Sequence, residues 1–66
     1  MYKLNKDIYI FKDYLGGYLL QNNIFIEVNS DMYLLLKNIE KVDIYQNQNI
    51  IEIINTLISK NIIIEY

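Results

Sequence analysis

Apolar and polar positions change their period along this chain, and each change marks an element. Over residues 7–11, "DIYIF", Ile8 and Ile10 alternate with Tyr9 and Phe11. A period of two predicts a strand, and because both sets are apolar, both faces are expected to be at least partly covered. Gly16 and Gly17 then interrupt the pattern, and they are read as a hairpin turn or bulge, where positive φ is cheap. "YLLQ", residues 18–21, predicts a second strand, and the pair Asn22–Asn23 suits the left-handed conformation of a tight hairpin. "IFIEV", residues 24–28, predicts a third strand, with Ile24, Ile26 and Val28 on one face and Phe25 and Glu27 on the other. Three such segments in sequence make an antiparallel β-meander.

From residue 31 the period lengthens. Met32, Leu35, Leu36 and Ile39 fall at helical spacing, predicting a short amphipathic helix over 31–39. Asn29, Ser30 and Asp31 precede it, and any of the three can accept hydrogen bonds from the free amides of a first turn. "EKVDIYQN", residues 40–47, is mostly polar and reads as a loop with a short extended piece around Val42 and Ile44. A second helix is expected over 48–59. Ile50, Ile51, Ile53, Ile54, Leu57 and Ile58 cluster on one side of it, over an arc of roughly 160° at ~100° per residue. Glu52, Asn55, Thr56 and Ser59 fill the opposite face, and Lys60 and Asn61 end the helix. The tail "IIIEY", residues 62–66, reads as a short C-terminal strand that must be covered to avoid aggregation. The expected fold is α+β, a meander followed by two helices, in one domain spanning 1–66.

Composition narrows the function classes. At 66 residues the chain lies near the lower size limit for independent folding, yet 53% of it is hydrophobic, with 14 isoleucines, which argues for a packed core. Cysteine is absent, so no disulfide can staple a secreted scaffold. "MYKLNKDIYIFKD" is broken by charges throughout and does not read as a signal segment, and no apolar run is long enough to span a bilayer. A cytosolic protein without membrane contact is the expectation. Net charge is −2, with six dispersed lysines and no arginine. Nucleic-acid binding is therefore disfavoured, because phosphate backbones call for clustered positive charge.

The chemistry of catalysis is missing. Histidine and cysteine are both absent, and the carboxylates Asp7, Asp13, Glu27, Asp31, Asp43 and Glu52 show no spacing for a metal or an acid–base pair. "LGGY" is no phosphate loop. Neither a catalytic residue, a metal site nor a cofactor is expected. Tyr9, Tyr14, Tyr18 and Tyr33 are read as rings capping a small core with their hydroxyls in water.

The order of parts resembles the PqqD-like family, the precursor-peptide recognition elements of ribosomally made, post-translationally modified peptides. Gly16, Gly17, Tyr18, Leu19, Leu20, Phe25, Asn29, Leu35 and Leu36 match its loose pattern: a glycine pair, an apolar strand, a turn, an aromatic-containing strand ending in Asn, and a leucine-rich helix. The likeness covers residues 2–39 and extends to the last helix, 48–59. Family members usually carry a further helix between these two, completing a winged helix-turn-helix. Residues 40–47 are too few and too polar for it, so the chain looks like a trimmed winged-helix-like version.

The resemblance implies a non-enzymatic binder. Members take a leader peptide by strand addition between the third strand and the last helix. Carried over, the groove runs along Ile24, Phe25, Ile26, Glu27 and Val28, facing Ile50, Ile53, Ile54 and Leu57. One flank of the wide helix arc is then expected to be structural and the other to be binding surface, with Ile53 and Leu57 as the groove flank and Ile51 and Ile58 opposite. The implied partners are a precursor leader peptide and a modifying enzyme or leader protease. The alternatives are a small winged-helix DNA-binding regulator, and a structural subunit forming a homodimer through "NIIIEY".

Overall fold

The computed structural model describes residues 1–42 and 48–66. Its elements follow in the order β1 (Tyr2–Leu4), β2 (Tyr9–Lys12), β3 (Gly16–Gln21), β4 (Ile24–Asn29), α1 (Ser30–Lys37), α2 (Ile51–Ser59) and β5 (Ile63–Glu65). A 3-10 turn, Ile39–Lys41, follows α1, and another, Gln48–Ile50, leads into α2. The architecture is α+β, as the changes of period predict: an antiparallel meander β2-β3-β4, two helices, and a short C-terminal strand. Of the loop expected over 40–47, Val42 is extended, with φ −74° and ψ 132°. Residues 43–47, including Ile44, lie outside the described residues.

The two hairpins of the meander are built differently. Between β3 and β4, Asn22 and Asn23 take φ of 53° and 65°, the left-handed pair of a two-residue turn. Gln21 then faces Ile24, and the register runs out to Gly16 opposite Asn29. Between β2 and β3 the turn is made by Asp13, whose carboxylate accepts from the amides of Leu15 at 2.9 Å and Gly16 at 2.8 Å. Gly16 and Gly17 are therefore strand residues, correcting the expectation of a glycine turn. Gly16 does take the positive φ expected of it, 156°, and the smallness of both glycines serves close approach. A Cβ on Gly16 would lie 2.6 Å from the Val28 carbonyl oxygen, and one on Gly17 would lie 2.5 Å from the Phe11 carbonyl oxygen and 2.7 Å from the Tyr33 ring.

Helix α1 starts where Asn29 stops pairing in the sheet. Its side chain accepts from the Met32 amide at 2.8 Å, so of the three candidate caps Asn29 takes the role. The helix ends at Lys37, and Ile39 continues into the 3-10 turn while remaining only 2% exposed. Helix α2 ends in a paired C-terminal motif. The Asn61 amide donates to Ile58 and the Ile62 amide to Leu57, each at 3.0 Å, with Asn61 left-handed at φ 60°. The turn that results drives Ile62 back against Leu57, and both side chains are buried.

The tail is covered, but not by the meander. β5 pairs antiparallel with β1, Tyr2 opposite Glu65 and Leu4 opposite Ile63, and Lys3 Nζ lies 5.0 Å from the centre of the Tyr66 ring. β1 is a three-residue strand that no periodicity marks, and its partner lies at the other end of the chain. One core unites the two sheets and both helices: Tyr2, Ile8, Leu19, Leu36, Ile39, Ile54, Leu57, Ile62 and Ile63. Helix α1 packs on all three strands of the meander, whereas the main contact of α2 among the strands is with β5. That division of labour holds α2 off the meander and opens a cleft.

Candidate functional site: an apolar groove beside a free strand edge

Sheet order leaves β4 at the edge of the meander, with β3 as its one strand neighbour among the described residues. In an antiparallel ladder, alternate residues turn both backbone groups toward the same neighbour. Counting from the two-residue turn, Ile24, Ile26 and Val28 face β3, so the amides and carbonyls of Phe25 and Glu27 point outward. β4 contains no lysine, no proline and a single charge, Glu27, so it lacks the usual guards of a sheet edge.

Between this edge and α2 lies a groove of about 400 Å³. Leu19, Leu36, Leu57 and Ile62 form its largely buried base. Ile26, Val28 and Met32 wall it on the meander side, and Glu52, Ile53, Thr56 and Lys60 on the α2 side. The lining is mainly apolar, with charges only at the rim. The Thr56 hydroxyl is occupied within the helix, donating to the Glu52 carbonyl at 2.9 Å. The Lys60 carbonyl accepts from Gln21 Nε2 at 3.0 Å, tying the end of α2 to the β3 end of the hairpin.

The opposite face of the meander carries an aromatic row. Phe11 stacks on Tyr18 with centroids 5.1 Å apart, and Phe25 meets Tyr18 edge-on at 5.4 Å. Phe25 and Glu27 belong to this face, lining a shallow hollow with Asp13 and Tyr18. A strand laid along β4 would thus set alternate side chains into the groove and against the aromatic row. Tyr18 and Tyr33 are half-buried, in keeping with capping rings, but Tyr14 stands fully in solvent at the tip of the β2–β3 turn and caps nothing.

The nine residues expected along the groove divide by position. Ile26, Val28, Ile53 and Leu57 line it together, while Phe25 and Glu27 flank it from the other face. Ile24 sits at the turn end, well exposed. Ile50 lines an adjoining hollow with Asn29, Met32, Leu35 and Ile53. Ile54 is 1% exposed and belongs to the core, so it offers a ligand no surface. The expected split into one structural and one exposed flank of α2 is also corrected. Ile53 and Ile51 are equally exposed at 39%, whereas Leu57 is buried and Ile58 half-buried. On both flanks exposure falls toward the C-terminal end of the helix, which packs on β5.

The groove residues not foreseen are Leu19, Met32, Leu36, Glu52, Thr56, Lys60 and Ile62. For part of this set a signal was present: Ile53, Thr56, Leu57 and Lys60 stand at i, i+3, i+4 and i+7, one stripe of a helix. Among the described residues no group of acidic side chains is placed to hold a metal ion, and no helix is long and apolar enough to cross a membrane. No family model, curated protein or solved structure matches the chain.

Proposed function

We propose that this chain is a peptide-binding module of the PqqD-like kind, which takes the leader of a precursor peptide by β-strand addition and delivers it to a modifying enzyme or leader protease. The observation that carries this reading is the unguarded β4 edge running beside an apolar groove. The two features do different jobs. Backbone bonds to Phe25 and Glu27 set direction and register and are sequence-blind, each contributing ~0.5–1.5 kcal/mol net. One large apolar side chain seated in the groove adds ~1.5–3 kcal/mol and supplies selectivity. Several such contacts, less the cost of ordering a flexible peptide, are compatible with affinities near the micromolar range, about −8 kcal/mol.

The test begins with peptides selected from a displayed random library on the intact protein, followed by titration of the isotope-labelled protein. Amide shifts are expected to concentrate over residues 24–28 and along 50–58. The Glu27→Pro variant removes one outward amide at an edge, where proline is tolerated, and is expected to keep the fold and lose the peptide. Shifts confined to β2, or undiminished binding to a folded Glu27→Pro variant, would overturn the reading.

A further inference from the structure

We propose that, with no peptide bound, β4 pairs antiparallel with β4 of a second copy about a two-fold axis through Ile26. This does not rest on the peptide reading, since it concerns the free protein. An edge without lysine, proline or bulge is a template for pairing, and β4 is the longer of the meander's two edges and the one without a lysine. The other edge, β2, has four residues, includes Lys12, and is flanked by Asp7 and Asp13. Large apolar side chains on β4 are left in solvent, Ile24 at 62% and Phe25 at 66% exposure.

The register follows from charge and from which backbone groups are free. Isologous pairing requires the strand to face itself. Centring the axis on Glu27 would set two carboxylates directly opposite, which is destabilising. Centring it on Phe25 would run the ladder into the Asn22–Asn23 turn, whose left-handed backbone cannot continue a strand. Centring it on Ile26 sets Phe25 opposite Glu27 of the second copy and Ile24 opposite its Val28, with no like charges opposed. The outward amides and carbonyls of Phe25 and Glu27 then exchange bonds in both directions, and Ile26 meets its own symmetry mate as a non-hydrogen-bonded pair, the closer kind. A bound peptide would compete for this same edge.

The chain has no cysteine, so single thiols can read the register directly. Ile26→Cys, Ile24→Cys and Val28→Cys are each checked for an unchanged circular dichroism spectrum, oxidised mildly without peptide, and resolved by non-reducing electrophoresis. Ile26→Cys is expected to cross-link efficiently to itself. Ile24→Cys and Val28→Cys are expected to cross-link poorly alone and well when mixed. Sedimentation of the unmodified chain is expected to show a concentration-dependent dimer, and Ile26→Lys, which opposes two cations on the axis, is expected to abolish it. A strictly monomeric chain at sub-millimolar concentration, or cross-linking no better at 26 than at 24 and 28 alone, would overturn the proposal.

Discussion

Ile53 and Ile54 are neighbours in sequence with opposite fates, which makes them a sharp test of how α2 divides between core and groove. Ile54 is 1% exposed, and truncation to alanine strips three carbons from it. At ~0.8 kcal/mol per buried carbon the transfer loss is about 2.4 kcal/mol, and the cavity left behind brings the cost to roughly 2–5 kcal/mol. A domain of this length is stable by roughly 3–10 kcal/mol, so Ile54→Ala should remove much of that and lower Tm by roughly 10–30 °C. Ile53 is 39% exposed and lines the groove. About three-fifths of the same loss, ~1.5 kcal/mol, applies to Ile53→Ala, and the better helix propensity of alanine returns ~0.4 kcal/mol. The net is about 1 kcal/mol, a Tm shift of roughly 4–8 °C. The part of Ile53 still exposed is worth ~1 kcal/mol when a ligand covers it, so peptide affinity should fall about fivefold. Thermal melts followed by circular dichroism measure the first quantity, and titration calorimetry with a selected peptide measures the second. Equal destabilisation by the two variants, or unchanged affinity in Ile53→Ala, would refute the assignment of Ile53 to the groove.

Gly16→Ala should destabilise the fold by ~1–3 kcal/mol, visible as a lower denaturation midpoint, because its Cβ would meet the β4 backbone at the β4–α1 junction. Asn61→Gly should be neutral to stabilising by up to ~1 kcal/mol and Asn61→Val destabilising, since the left-handed position after α2 disfavours a branched side chain; the same melts decide it. Binding to random-sequence duplex DNA should be undetectable at physiological salt by fluorescence anisotropy, because six dispersed lysines release few counterions; sub-micromolar affinity there would revive the regulator alternative.

Local chemistry alone was enough to settle the meander, the asparagine hairpin and the two helices. Strand alternation, the left-handed tolerance of Asn22 and Asn23, and the capping oxygen of Asn29 all act between residues a few positions apart. The two faces of β4 were legible for the same reason: Ile26 and Val28 line the groove while Phe25 and Glu27 look the other way, as a period of two requires. Tertiary structure decided the rest. Pairing of β5 with β1 joins residues more than fifty positions apart, and no periodicity in either short segment announces its partner. That pairing determines the site, because a tail lying on β4 would have closed an edge that, among the described residues, pairs with β3 alone. It also fixes how α2 sits, buried at Leu57 and lifted at Ile53, although both belong to one continuous apolar arc in the sequence. The glycines make the same point in miniature. Their presence reads as a turn with positive φ, which Gly16 alone takes, but the need for both comes also from the carbonyls of Phe11 and Val28 and the ring of Tyr33, neighbours that only the folded chain brings near. Sequence patterns specify which face of an element is apolar; which of those faces is covered depends on the elements that arrive from elsewhere in the chain.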